Sequence, residues 1–232
     1  MSGIILYHGS SKIIESPQYG KGNSHNDYGL GFYCTFDIGL AKEWACSTRI
    51  GGFVNTYSID VATLNVLNIG APEYGLLDWL AILVNNRVLS IDAPIVSESI
   101  EYLSEHFLPD VKAFDAIKGY RADDSYFTFA ADFLSNTISL RQLSRAMRLG
   151  SLGEQFVLKS RKAFDALNFI SSEPADGEIY FAKRSNRDKQ ARDQYLRRER
   201  GSERRMDDMF MLDILREEMK RGDARLQRNL SE

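Results

Sequence analysis

The residues of this 232-residue chain best suited to chemistry fall in two early segments. The first is Tyr7-His8-Gly9-Ser10, closing an apolar run that begins at Ile4. The second is Asp27-Tyr28-Gly29-Leu30-Gly31-Phe32-Tyr33-Cys34-Thr35, followed by a helix-like stretch through Ala41 to Trp44-Ala45. A His-Gly pair ending a strand, a Gly-x-Gly-aromatic-Tyr strand and a helix carrying a large aromatic suit a pocket that grips a flat heteroaromatic amide. Glycine admits a ligand close to the backbone, and aromatic faces stack on planar rings. Together the segments suggest a nicotinamide site, and hence an enzyme that uses NAD without redox chemistry.

Other chemistries find little support. The two cysteines, Cys34 and Cys46, form no CxxC, and no Cys/His set has zinc spacing, so no metal is expected. Both read as small apolar residues of a reducing compartment. The formal net charge of -3 argues against a generic nucleic-acid binder. The N-terminus lacks a signal peptide's basic segment and apolar core. The longest apolar run, Leu76 to Val84, is broken by Asp78 and too short for a membrane span. The expectation is a soluble, cytoplasmic protein with no membrane partner.

The elements that must position these residues alternate. Strands are expected at Ile4–Tyr7, Gly31–Thr35, Phe53–Val61, Asn65–Ile69, Ala113–Tyr120, Gln155–Lys159 and near Phe169. Asp37 reads as the N-cap of a helix running to Ser47. Further helices are expected at Tyr74–Asn86, apolar nearly all round and so buried, and at Glu98–Phe107, Asp124–Leu134 and Ser139–Leu149, with a helical turn at Lys162–Leu167. Arg184 to Arg205 is arginine-dense with interspersed acids. It suits a solvated helix laced with charge pairs, or contact with nucleic-acid phosphate. From Met206 to Met219, Met209, Leu212, Leu215 and Met219 share a helical face, flanked by Met211 and Ile214.

On these motifs the chain resembles bacterial ADP-ribosyltransferases of the His-Tyr-Glu group, the branch shared with poly(ADP-ribose) polymerases and diphtheria-type toxins. It looks closer still to bacterial domains of unassigned function placed in that fold. The resemblance rests on Leu6 to Ser10, Tyr28 to Thr35, Ala41 to Ala45, Trp79 to Arg87, Phe114 to Asp124 and Gln155 to Ser160. It spans residues 1–170. It implies that His8 contacts the adenine-side ribose, that the Gly9 backbone clamps the carboxamide, and that Tyr33 stacks on nicotinamide. Trp44 falls where the polymerase branch has a second stacking aromatic, and it also suits a core anchor. Ser10 and Tyr28 belong to the same cofactor-binding set. The polymerase branch has a serine three residues before that second aromatic; here the position is Ala41.

The family's catalytic Glu opens a late strand. The matching segment is Leu152-Gly153-Glu154-Gln155-Phe156-Val157-Leu158, and by position Gln155 is the match. Gln can bond the ribose but cannot act as a base. Glu154 is adjacent, but neighbouring strand residues point to opposite faces, so only one of the two meets the cleft. Asp123 or Asp124 could supply the carboxylate that activates an acceptor; each also suits a helix cap.

The resemblance therefore implies an α+β fold. Residues 1–170 form an ADP-ribosyltransferase-like split β-sandwich, two small packed sheets around a cleft with intervening helices, and residues 171–232 form a charged helical C-terminal extension. It implies mono-ADP-ribosyl transfer from NAD to a protein or nucleic acid, with no metal. It also suggests a toxin of a toxin–antitoxin or phage-defence system, with an antitoxin partner. The alternatives are an NAD glycohydrolase and a catalytically silent NAD-binding or protein-interaction module.

Overall fold

The computed structural model describes residues 3–89, 91–122, 124–149 and 153–230. The chain divides into two compact units, one of residues 1–69, 110–121 and 152–187 and the other of residues 70–109, 122–151 and 188–232. The fold is α+β.

The first unit holds a seven-stranded mixed sheet. Its strands are β1 (Ile4–Ser10), β2 (Phe32–Thr35), β3 (Gly52–Ile59), β4 (Val66–Asn68), β5 (Ala116–Tyr120), β6 (Glu154–Leu158) and β7 (Leu167–Ala175), in the order β4-β5-β6-β2-β1-β3-β7. Only β4 and β5 run parallel; the other pairs are antiparallel. Where two packed sheets were expected, the strands join in one. The join is narrow, because β1 and β2 share the single register pair Tyr7↔Thr35 while β3 follows β1 over all seven residues.

One sheet face buries Leu6, Cys34, Ile59, Ala116, Phe156 and Leu158, with Ala163 from helix α6 (Arg161–Asp165). On β1, helix α1 (Ile38–Ala45) packs where Gly9 leaves room. A Cβ on Gly9 would overlap the Ala41 carbonyl oxygen and reach within 2.6 Å of Ala45 N. As expected, Asp37 caps α1: its carboxylate accepts from Gly39 N at 2.6 Å and Leu40 N at 3.1 Å. Glu43 on α1 is buried but neutralised by a two-point pair with Arg187 at 2.7 and 2.9 Å.

The boundary expected at residue 170 falls inside β7, which stays paired to β3 as far as Ala175. The following helix, α7 (Gly177–Gln194), begins two residues later, and the first unit ends within it.

The second unit is helical. It contains α2 (Leu76–Asn86), α3 (Pro94–His106), α4 (Asp124–Leu134), α5 (Leu140–Ala146), the end of α7, a π-helical turn (Tyr195–Arg200), α8 (Met211–Arg216) and α9 (Ala224–Leu230). Leu76 to Val84 are all buried, as the all-round apolar pattern predicts. Helix α3 starts at Pro94, four residues before the expected start, since proline suits a first helical turn. The C-terminal segment is no appendage. Ala191, Tyr195, Met211, Ile214, Met219 and Leu226 are core residues, and burial of these side chains is what ties the charged segments down.

Candidate functional site

Where β1 leaves β2 after Tyr7, the first unit opens a cavity of about 680 Å³. His8, Lys12, Ile14, Asn26, Phe32 and Tyr33 are among the residues that line it. His8 is half-buried; its Nδ1 lies 2.7 Å from the Tyr33 carbonyl oxygen and its ring stacks on Phe32 at 4.3 Å. A carbonyl only accepts, so Nδ1 carries the proton and Nε2 is left as an acceptor. Burial lowers the His8 pKa below its usual 6.5, against the opposing pull of the Tyr33 carbonyl. The ring is therefore neutral at pH 7.

Tyr33 is half-buried and held at its tip. Its hydroxyl donates to Gly29 O at 2.5 Å and accepts from Tyr28 N at 3.1 Å. Burial pushes its hydroxyl pKa well up, so it remains a phenol. The ring thus pins the loop that precedes its own strand. Lys159 closes the same loop, donating to the carbonyls of Tyr28 and Leu30.

Two expected cofactor residues are structural. Tyr28 is 2 % exposed and its hydroxyl donates to Tyr120 O at 2.7 Å. Gly119 has to be a glycine, since a Cβ there would collide with that hydroxyl. Tyr28 is thus a core residue whose ring is sealed from ligand. Ser10 holds the chain turn after β1: its hydroxyl donates to Lys12 O and accepts from Asn55 Nδ2 at 3.3 Å. The buried Asn55 also donates to His8 O and accepts from Ile14 N at 2.8 Å. No sequence motif marks Asn55; only its place opposite His8 on β3 gives it this role.

Gly9 and Trp44 meet at α1. The Gly9 Cα–H direction faces the helix, so its missing side chain is required by helix packing. Trp44 is half-buried, with the Arg121 guanidinium 4.6 Å from its ring centre. Its indole Nε1 is buried and has no hydrogen-bond partner among the described residues. Ala41, fully buried against Gly9, brings no side-chain donor or acceptor to the site.

The register decides between Glu154 and Gln155. Thr35 opposes Gln155 and Tyr33 opposes Val157, which puts Gln155 on the Tyr33 face of the sheet and Glu154 on the other. Glu154 pairs with Lys118 at 2.9 Å. Gln155 is 3 % exposed, and its Nε2 donates to Asp27 Oδ2 at 2.8 Å and to Tyr120 O at 3.3 Å. Asp27, itself 7 % exposed, carries no expected role; as the acid opening the second segment, it was visible but unassigned. Neither Gln155 nor Trp44 lines the cavity beside His8. Asp123 lies outside the described residues. Asp124 opens α4, but its side chain is not described. Among the described residues no group of three or more His, Cys, Asp or Glu is placed to hold a metal, and no helix is long and apolar enough to cross a membrane.

Residues 4–169 match the family described as "Protein of unknown function (DUF3990)". No curated protein and no solved structure matches the chain. The matched segment covers β1 through β6, and with them His8, Tyr33 and Gln155. The chain therefore belongs to the DUF3990 family.

Proposed function

We propose that the chain is a mono-ADP-ribosyltransferase that moves ADP-ribose from NAD to a macromolecule, protein or nucleic acid, with its first unit acting as a split β-sandwich. The observation that carries this reading is the 2.7 Å bond from the His8 ring to the Tyr33 backbone at the cavity wall. It joins the two segments expected to grip NAD. It also leaves His8 Nε2 to accept a ribose hydroxyl. Lys12 and Lys21 line the same cavity and supply positive charge for a pyrophosphate. The narrow β1–β2 join supports a sheet that opens around its ligand.

In this mechanism Tyr33 packs on the nicotinamide ring and His8 fixes a ribose. Gln155 lies outside the cavity wall; once the narrow β1–β2 join opens to it, Gln155 accepts from a hydroxyl of the nicotinamide ribose and favours the positive charge that develops there. The bond between nicotinamide and ribose C1′ breaks, and its electron pair leaves with nicotinamide. The acceptor's nucleophilic atom bonds to C1′, and its proton passes to solvent. By analogy with the toxins it resembles, the chain acts in the cytoplasm and is restrained by an antitoxin protein.

Gln155 favours a second reading, a catalytically silent NAD-binding module, because an amide takes no proton from an acceptor. Incubating the purified protein with labelled NAD and a cell lysate separates the two. Label removed by protease indicates a protein target, and label removed by nuclease a nucleic acid. NAD binding without label or turnover supports the silent module. Absence of NAD binding rejects both.

A further inference from the structure

The two polar atoms of the Gln155 side chain stand in different surroundings. Its Nε2 faces two acceptors, the Asp27 carboxylate at 2.8 Å and the Tyr120 carbonyl at 3.3 Å. The Tyr120 backbone carbonyl cannot donate, so turning the amide over would set its oxygen against that carbonyl oxygen. Both Nε2 protons are engaged, and Oε1 has no partner among the described residues. Tyr120 O is itself held by the Tyr28 hydroxyl, and Tyr28 N by Tyr33, so the lock is continuous with the loop that Tyr33 anchors.

We propose that Asp27 is a positioning residue that locks the Gln155 amide with Oε1 free, so that β6 holds an uncharged, acceptor-only oxygen ready for a hydroxyl of the nicotinamide ribose once the narrow β1–β2 join opens to Gln155. The proposal rests on the NAD reading above and extends it. A carboxylate at this place would offer acceptors in any rotamer. An amide does so only when a second group fixes its orientation, and Asp27 is that group. The same arrangement gives the site no base of its own on β6. It therefore selects acceptors that are nucleophilic without help, such as a carboxylate or an unprotonated ring nitrogen.

The test uses the full chain with 15N-labelled glutamine side chains, NAD, and an NAD analogue lacking the 2′-hydroxyl of the nicotinamide ribose. In the wild type, the Gln155 side-chain amide protons exchange with solvent more slowly than those of the exposed Gln18. NAD binds about five-fold tighter than the analogue, as one net hydrogen bond gives. Asp27→Ala speeds the exchange and brings the ratio of affinities to about one. Asp27→Asn keeps an acceptor oxygen and restores both.

Fast Gln155 exchange in the wild type overturns the proposal even if Asp27→Ala does not fold. So does an Asp27→Ala protein, folded by circular dichroism, whose exchange and discrimination are unchanged. A protected amide that is released by Asp27→Ala, in a protein that binds no NAD, establishes the lock and rejects the NAD reading instead.

Discussion

His8 Nδ1 lies 2.7 Å from the carbonyl oxygen of Tyr33, the residue next to the Phe32 ring on which the imidazole stacks. The contact fixes both the tautomer and the plane of the ring. Burial holds its folded pKa below the usual 6.5, so the unfolded chain takes up a proton here more readily than the folded one. Stability from this group is complete above pH 6.5 and is lost as pH falls from there through the folded pKa. His8→Gln should flatten that part of the stability profile. Chemical denaturation of both proteins between pH 5 and pH 7.5 measures it; equal slopes would remove His8 as the source. In the NAD reading the same variant also loses labelling.

Tyr33 has two separable parts. Its hydroxyl ties Gly29 O and Tyr28 N, and in the NAD reading its ring is the surface offered to nicotinamide. Tyr33→Phe should lower stability by about 1–2 kcal/mol, because it strands the buried loop groups while keeping the ring. Tyr33→Ala should abolish NAD labelling. Melting curves and labelling of the two variants separate anchoring from stacking, and a Phe variant as inactive as Ala would place the function in the hydroxyl.

Much of this arrangement was legible before any coordinates. The Asp37 cap, the buried run from Leu76 and the short apolar strand β6 follow from local patterns, which act over a few residues. The two-residue period of a strand puts Glu154 and Gln155 on opposite faces, but which of them shares the Tyr33 face follows only from the register of β6 on β2. Relationships across long separations were not legible. Asp27 and Gln155 are 128 residues apart, and Asn55 and Ile14 are 41 apart; no periodicity links either pair. The joining of seven strands in one sheet depends on the single pair Tyr7↔Thr35, which no local signal announces. The expected face of Met209, Leu212, Leu215 and Met219 is corrected too: α8 is shorter than the expected helix, and the flanking Met211 and Ile214 are buried together with Met219, while Met209, Leu212 and Leu215 are half-buried.

Gly9 is constrained from the helix side. Because a Cβ would overlap the Ala41 carbonyl oxygen and come within 2.9 Å of the Trp44 Cβ, α1 must move before alanine fits. Gly9→Ala should lower stability by on the order of 3 kcal/mol, within the range for overpacking against backbone. The readout is the urea midpoint, with Gly20→Ala as a control for positive-φ strain alone, since Gly20 has φ +79° and open space around it. A Gly9 variant no less stable than the control would contradict the α1 contact.

The buried Trp44 N–H has no partner among the described residues, so its desolvation costs stability with no hydrogen bond to offset it. Trp44→Phe keeps an aromatic beneath Arg121 and removes the orphaned donor. The melting temperature should be unchanged or higher apart from the lost ring volume, while NAD affinity falls about five-fold if the donor serves the carboxamide. Calorimetric titration with NAD checks this, and affinity equal to wild type would leave the nitrogen without a ligand role.

Gln155→Glu puts a carboxylate where the proposed transferase reading expects an acid, yet it sets that group beside Asp27, where the amide nitrogen now lies 2.8 Å away. Two buried carboxylates at that distance cannot both ionise, so the pair's upper folded pKa rises above the unfolded value. The resulting destabilisation is full above that raised pKa and fades as pH falls towards the ordinary carboxylate range. The Gln155→Glu protein should therefore be less stable than wild type at pH 7, with the gap closing towards pH 4. Adding Asp27→Asn should relieve the penalty at pH 7, because the amide that this second substitution introduces can donate to the new carboxylate. Denaturation midpoints for the three proteins at the two pH values decide it. A single variant as stable as wild type at pH 7 would mean that Asp27 does not face residue 155.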